Sequence, residues 1–81
     1  MPRIKNWERV VCNKIKKVTI WRHRIIKSIF IGVEPRKTLY YTVLEYRKNG
    51  RKIQKVLDSE PTYEDSYADA IKYMRKHPHG R

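Results

Sequence analysis

A chain of 81 residues with 20 Lys and Arg against 8 Asp and Glu has a formal net charge of +12. It must fold against its own repulsion, and the commonest use for such a field is contact with a polyanion. At this length one domain buries only about two-thirds of its unfolded surface, which leaves no room for a deep enzymatic cleft. A hydrophobic content of 40%, with 6 Tyr, 2 Trp and 1 Phe but only 3 Gly and 4 Pro, excludes a disordered basic tail.

No apolar run approaches the ~20 residues of a membrane span, and Met1 to Asn6 lacks the apolar core of a signal peptide. A cytoplasmic protein without a membrane partner is therefore expected. The single cysteine, Cys12, cannot close an internal disulfide and is expected as a small buried apolar residue.

Residues 1–81 read as a single domain. Within 7–33, Trp7 to Cys12, Lys17 to Arg22 and Ile25 to Val33 are β-prone and give two or three strands, with breaks near Asn13-Lys14 and around Arg22-His23-Arg24. Alternation in Val18-Thr19-Ile20-Trp21-Arg22 places Val18 and Ile20 on one face and Thr19 and Trp21 on the other, one of the two partly exposed. Ile29-Phe30-Ile31 is apolar on both sides, as in a central strand, and Glu34-Pro35-Arg36-Lys37 reads as a loop.

Asn49-Gly50 is the clearest local signal. Both residues tolerate the positive φ of a type I′ turn, so 38–58 is expected to be a hairpin. Pairing Lys48 with Arg51 sets Tyr46 opposite Ile53, Leu44 opposite Lys55, Val43 opposite Val56 and Thr42 opposite Leu57. One face then holds Tyr40, Leu44, Tyr46, Ile53 and Leu57 and reads as the core side, with Lys55 at its margin. The other holds Tyr41, Val43, Glu45, Arg47, Lys52, Gln54 and Val56, the mixture of basic, amide and aromatic groups expected of a sheet that reads nucleic acid.

Pro61-Thr62 followed by Glu64 and Asp65 announces a helix over 62–76, capped by Thr62. Tyr63, Tyr67, Ala70, Ile71 and Met74 form one apolar stripe for packing on the sheet. Lys72, Arg75 and Lys76 suit the negative end of the helix, and a short basic tail, 77–81, follows.

Catalytic and metal chemistry find little to use. His77 and His79 flank Pro78 and supply only two ligands, while His23 lies between Arg22 and Arg24, a setting that favours a neutral imidazole and suits a phosphate-side donor or a turn residue. Glu64, Asp65 and Asp69 crowd one helix region, which capping explains. There is no Gly-rich phosphate loop. No enzyme, cofactor or metal is expected.

From Thr38 to His77, the run Tyr40-Tyr41-Thr42-Val43, the basic turn Arg47-Lys48-Asn49-Gly50-Arg51-Lys52, and Thr62-Tyr63-Glu64-Asp65 opening a helix with Ala68 and Ala70 make a similar arrangement to a known family. This half of the chain resembles, in architecture, the arm-binding DNA-binding domains of tyrosine integrases, which have three strands and one helix. The resemblance implies a sheet laid in the major groove, with Tyr41, Arg47, Lys52 and Gln54 at the DNA. The composition, rich in Lys, Arg, Ile and Tyr, is similar to that of proteins of thermophilic archaea and their viruses or plasmids.

The expected fold is α+β, an antiparallel sheet of four or five strands with one C-terminal amphipathic helix packed on one face. The expected function is binding of nucleic acid, duplex DNA or RNA, without chemistry. Lys16, Lys17, Arg22, Arg24, Arg47, Lys48, Arg51 and Lys52 are the candidate phosphate contacts, and Trp21, Tyr41 and Gln54 the candidate groove or stacking contacts. The alternative is a small protein-interaction module, an inhibitor or virion component of a mobile element, that meets an acidic protein or forms a homodimer through a sheet edge.

Overall fold

Every chain reversal is local, and this dictates the topology. In the computed structural model, which describes residues 4–80, β1 (Trp7–Asn13), β2 (Val18–His23), β3 (Phe30–Arg36), β4 (Leu39–Lys48) and β5 (Arg51–Glu60) form one antiparallel sheet in chain order. The helix α1 (Tyr63–Lys76) packs on one face of it, against β3, β4 and β5. Met1 to Arg3 and Arg81, the last residue of the expected basic tail, lie outside the described residues. Among the described residues no helix is long and apolar enough to cross a membrane.

The turns follow from a few backbone positions. Asn49 (φ 53) and Gly50 (φ 77) both take positive φ, the requirement of a type I′ hairpin. Between β1 and β2 there is no glycine; the Asn13 side chain instead accepts the backbone N–H groups of Ile15 and Lys16 at 3.1 and 3.0 Å, and Lys17 takes a φ of 56.

The loop expected at Glu34 to Lys37 is shorter than that. Glu34, Pro35 and Arg36 belong to β3, and the reversal is confined to Lys37 (φ 54) and Thr38. Pro35 is tolerated because β3 has no registered β2 partner beyond Val33, so its missing N–H interrupts no ladder on that side.

Two bulges adjust the register. Between β4 and β5 the expected pairs Tyr46 with Ile53, Leu44 with Lys55 and Val43 with Val56 are present, but Thr42 opposes Asp58 rather than Leu57. Leu57 is the extra residue, so it packs toward the core while Asp58 and Glu60 also turn to the helix side. Between β1 and β2 the extra residue is Val10, which directs both Val10 and Val11 toward the helix-free face.

The core lies between sheet and helix. Trp7, Trp21, Ile31, Val33 and Leu44 of the strands meet Ala70 and Met74 of α1, with Ile4 and Ile29 closing the margin. The expected stripe is therefore the packing face, and Tyr63, Tyr67 and Ile71 sit half-buried around its centre. Thr62 caps the helix by accepting the Asp65 N–H at 3.2 Å.

Ser66 is fully buried on the same stripe, and the Thr42 hydroxyl meets its hydroxyl at 2.8 Å and donates to its carbonyl at 3.0 Å. Cys12 is not the buried apolar residue expected. It falls near the end of β1, an edge strand that α1 does not cover, and its thiol is exposed.

Candidate nucleic-acid interface

An antiparallel meander puts alternate connections at opposite ends of the sheet, and this sorts the charges. One end holds the β2–β3 loop (residues 24–29), the β4–β5 turn and the C-terminus of α1. The chain tail is tied at this end to the start of β1: Trp7 Nε1–H donates to the His77 carbonyl at 3.1 Å, and Asn6 donates to the Pro78 carbonyl at 2.9 Å. Arg24 and Lys27 of the loop, Arg47, Lys48, Arg51 and Lys52 of the hairpin tip, and Arg75 and Lys76 of the last helical turn are all at this end, and all are exposed. Between loop and hairpin lies a recess of about 330 Å³ lined by Ile26, Ser28, Ile29, Tyr46, Arg47 and His79.

The carboxylates collect elsewhere. Five of the eight, Asp58, Glu60, Glu64, Asp65 and Asp69, occupy the end of β5 and the first half of α1. Oxygens of Asp58, Glu60 and Asp69 lie within 4.8 Å of one another, the direct result of the Leu57 bulge. Partial burial, reinforced by the neighbouring carboxylates, raises the pKa of Glu60 and of Asp69 above the ordinary carboxylate value. The crowding expected for Glu64, Asp65 and Asp69 thus takes a different form, since Asp69 joins two strand residues.

The expected contact residues divide by location. Arg47, Lys48, Arg51, Lys52 and Arg24 share the basic end. Lys16 and Lys17 sit at the opposite end, in the β1–β2 turn, where the Lys17 ammonium lies 6.0 Å from the centre of the Tyr63 ring. Arg22, Tyr41 and Gln54 lie on the helix-free face and already have partners there. Arg22 donates to Glu8 at 2.9 Å, and this hydrogen bond holds the Glu8 carboxyl below its usual pKa. The Arg36 guanidinium lies over the Tyr41 ring at 5.2 Å, and Gln54 donates to Glu45 at 3.0 Å.

Trp21 does not serve as a stacking contact, because its ring is 4% exposed and packs edge-on against Tyr67 beneath the helix. The alternation that singled it out was correct; the helix covers the Thr19 and Trp21 side rather than the Val18 and Ile20 side.

His23, 1% exposed, is a structural clamp. Its Nδ1 accepts the Ile25 and Ile26 N–H groups at 3.3 and 2.9 Å, which leaves Nε2–H to donate to the Pro78 carbonyl at 2.8 Å. That pattern requires the neutral ring and ties the β2–β3 loop to the tail, so His23 is not a phosphate-side donor. His77 has a similar local use: its Nδ1–H donates to the Tyr73 carbonyl at 2.9 Å, and its ring stacks on Tyr73.

The middle of the helix-free face is apolar. Val18, Ile20, Phe30 and Val43 surround Gly32 and, with Val10 and Val11 at one margin and Glu34, Glu45 and Gln54 at the other, line a shallow depression of about 310 Å³; Val56 lies exposed beside it. The basic, Tyr-bearing character expected of this face is thus confined to its rim. Lys27, Arg75 and Lys76 were not among the expected contacts. The signal that reveals them is topological: the meander and the returning helix bring three sequence-distant basic segments to one end. No protein-family model matches the chain, and comparison with curated proteins and with solved structures gives no match.

Proposed function

We propose that the chain binds duplex DNA, without chemistry, through its basic end. The observation that carries this reading is charge segregation. Cations from the β2–β3 loop, the hairpin tip and the last turn of α1 share one end, and most of the carboxylates are held on the flank where α1 begins. A phosphate backbone is met by several exposed Lys and Arg side chains on short, well-anchored elements, and counterion release supplies the affinity.

The resemblance to integrase arm-binding domains supports DNA as ligand and the β4–β5 hairpin as the contacting element. It also implies a sheet face laid in the groove, whereas the apolar middle of this face favours contact by the strand ends instead.

An electrophoretic shift assay with duplex DNA, single-stranded DNA and RNA probes, repeated across salt, tests the proposal. Duplex DNA is expected to bind with micromolar or tighter affinity at ~50 mM salt, and about five neutralised phosphates give log K a slope of roughly −4 to −5 against log salt. The pair Lys48→Ala with Arg51→Ala flattens that slope by about 1.8, whereas Lys16→Ala with Lys17→Ala, at the other end, leaves it unchanged. No shift with any probe at ~50 mM salt overturns the reading. Equal effects of the two double variants remove the basic end as the contact surface.

A further inference from the structure

We propose that the helix-free face of the sheet packs against the same face of a second copy of the chain, forming a two-fold, face-to-face dimer. The proposal is independent of the nucleic-acid reading, because it concerns the broad face of the sheet and leaves the strand ends uncovered.

The exposed side of an antiparallel sheet ordinarily alternates to polar residues. Here Val18, Ile20, Phe30 and Val43 occupy its inner strands, and Val11 and Val56 remain 41% and 48% exposed at the margins. A contiguous apolar surface on an otherwise heavily charged domain marks an interaction site.

Charge selects the occupant. Three carboxylates stand on this face, and each has a cation of the same face beside it: Glu8 with Arg22 at 2.9 Å, Glu34 with Arg36 at 2.7 Å and Glu45 with Lys52 at 3.5 Å. The face is locally neutralised on a molecule of net charge +12. Arg47, opposite Lys52, adds a further cation at its hairpin end, so its excess positive charge is small beside the +12 of the whole chain, and it is where two copies approach with least repulsion.

Shape agrees. Gly32, at the centre of β3, leaves a hole between Ile20 and Val43, and Phe30, two residues away on the same face of the same strand, provides a large side chain. A two-fold axis between these positions seats Phe30 of each copy over Gly32 of the other, the reciprocal contact that an isologous interface requires.

Sedimentation equilibrium of the full chain tests the proposal. A monomer–dimer equilibrium with a dissociation constant on the order of 1–100 µM is expected. It tightens between ~50 and ~500 mM salt, because screening relieves repulsion between like-charged copies. This is opposite in sign to the effect of salt on DNA binding.

Phe30→Ala and Gly32→Leu are each expected to weaken the dimer at least ~10-fold while leaving the far-UV spectrum and the net charge unchanged. At Gly32 an added Cβ meets Ile20 Cγ1 at 3.8 Å, an ordinary contact, and the far-UV spectrum and thermal melt of Gly32→Leu check that the rest of the side chain leaves the fold intact. A monomer at ~500 µM in both salts, well above the expected dissociation constant, overturns the proposal. So does a dimer that loosens as salt rises, or one indifferent to both substitutions. The DNA salt slope of the same variants reports separately on the basic end, so the two readings fail independently.

Discussion

On β3, Ile31 and Phe30 are neighbours in sequence but occupy different environments: Ile31 is fully enclosed beneath α1, while Phe30 is half-buried on the face no helix covers. The same contrast runs along β2, where Thr19, Trp21 and His23 are buried and Val18, Ile20 and Arg22 are not. Both faces are apolar at their centres, so hydrophobicity along a strand does not identify the internal one. What distinguishes them is the partner, a stripe of Ala70, Met74 and the half-buried tyrosines on one side and a rim of ion-paired Glu and Arg on the other.

The largest expected effect tests that contrast directly. Ile31→Ala removes a fully enclosed side chain and is expected to cost about 2–5 kcal/mol, whereas Phe30→Ala should cost less than half as much at dilute protein concentration. Urea unfolding of both variants measures the difference. Repeating it at high protein concentration sharpens the comparison, because a dimer through the open face stabilises the parent and Ile31→Ala but not Phe30→Ala. Equal losses at all concentrations would show that the two faces are energetically alike.

Glycines provide the next comparison. Gly50 has φ 77 with open space around it, so Gly50→Val meets no clash and its cost, about 1–3 kcal/mol, is backbone strain in the type I′ turn. Gly32, on the open face, accepts a Cβ at ordinary contact distance, and Gly32→Ala is expected to change stability by no more than about 1 kcal/mol, in the stabilising direction where the unfolded chain loses freedom. Thermal melts of the pair decide it. A Gly50→Val variant that melts with the parent would mean that the hairpin is held by its strands and not by its turn.

Much of this architecture was legible in the residues. Asn49-Gly50 gave the hairpin and most of its register, Thr62 with the Tyr63 to Met74 periodicity gave the helix and its packing side, and Ile29-Phe30-Ile31 marked the central strand. The two bulges were not legible, because Val10 and Leu57 each have an apolar neighbour, Val11 and Val56, that could equally be the extra residue, and no glycine or proline marks either position. Each bulge nevertheless re-aims the residues around it: one adds valine to the open face, the other sends Asp58 and Glu60 to the helix side. The basic end was half legible. Its hairpin residues stood out, but the arrival of Arg24, Lys27, Arg75 and Lys76 beside them depends on strand order, which local patterns do not encode. Trp21 was placed on the correct alternating face, yet which face a helix would cover is a tertiary choice.

The smallest expected effect turns on the carboxylates that the Leu57 bulge gathers. Burial and mutual repulsion raise the pKa of Asp69 and Glu60, so the folded chain holds protons there more tightly than the unfolded chain. Their stabilising contribution is therefore present below the ordinary carboxylate pKa and is lost as pH rises through the raised values, which leaves a repulsive cluster at neutral pH. On the open face Glu8 behaves oppositely. Its hydrogen bond from Arg22 lowers its pKa, so its contribution is present above the ordinary value and fades as pH falls through the lowered one. Acidification thus relaxes one side of the sheet and loosens the other, and the two trends oppose each other in the parent. Asp69→Asn removes one repulsive charge while keeping the side-chain volume, so its Tm at pH 7 is expected to exceed that of the parent by about 2–4 °C. The advantage shrinks as pH falls through the raised values of Glu60 and Asp69, and the variant's Tm then falls with acid as Glu8 governs. Superimposable Tm–pH curves for parent and variant would mean that solvent already screens the cluster, and the two faces would no longer differ in their response to pH.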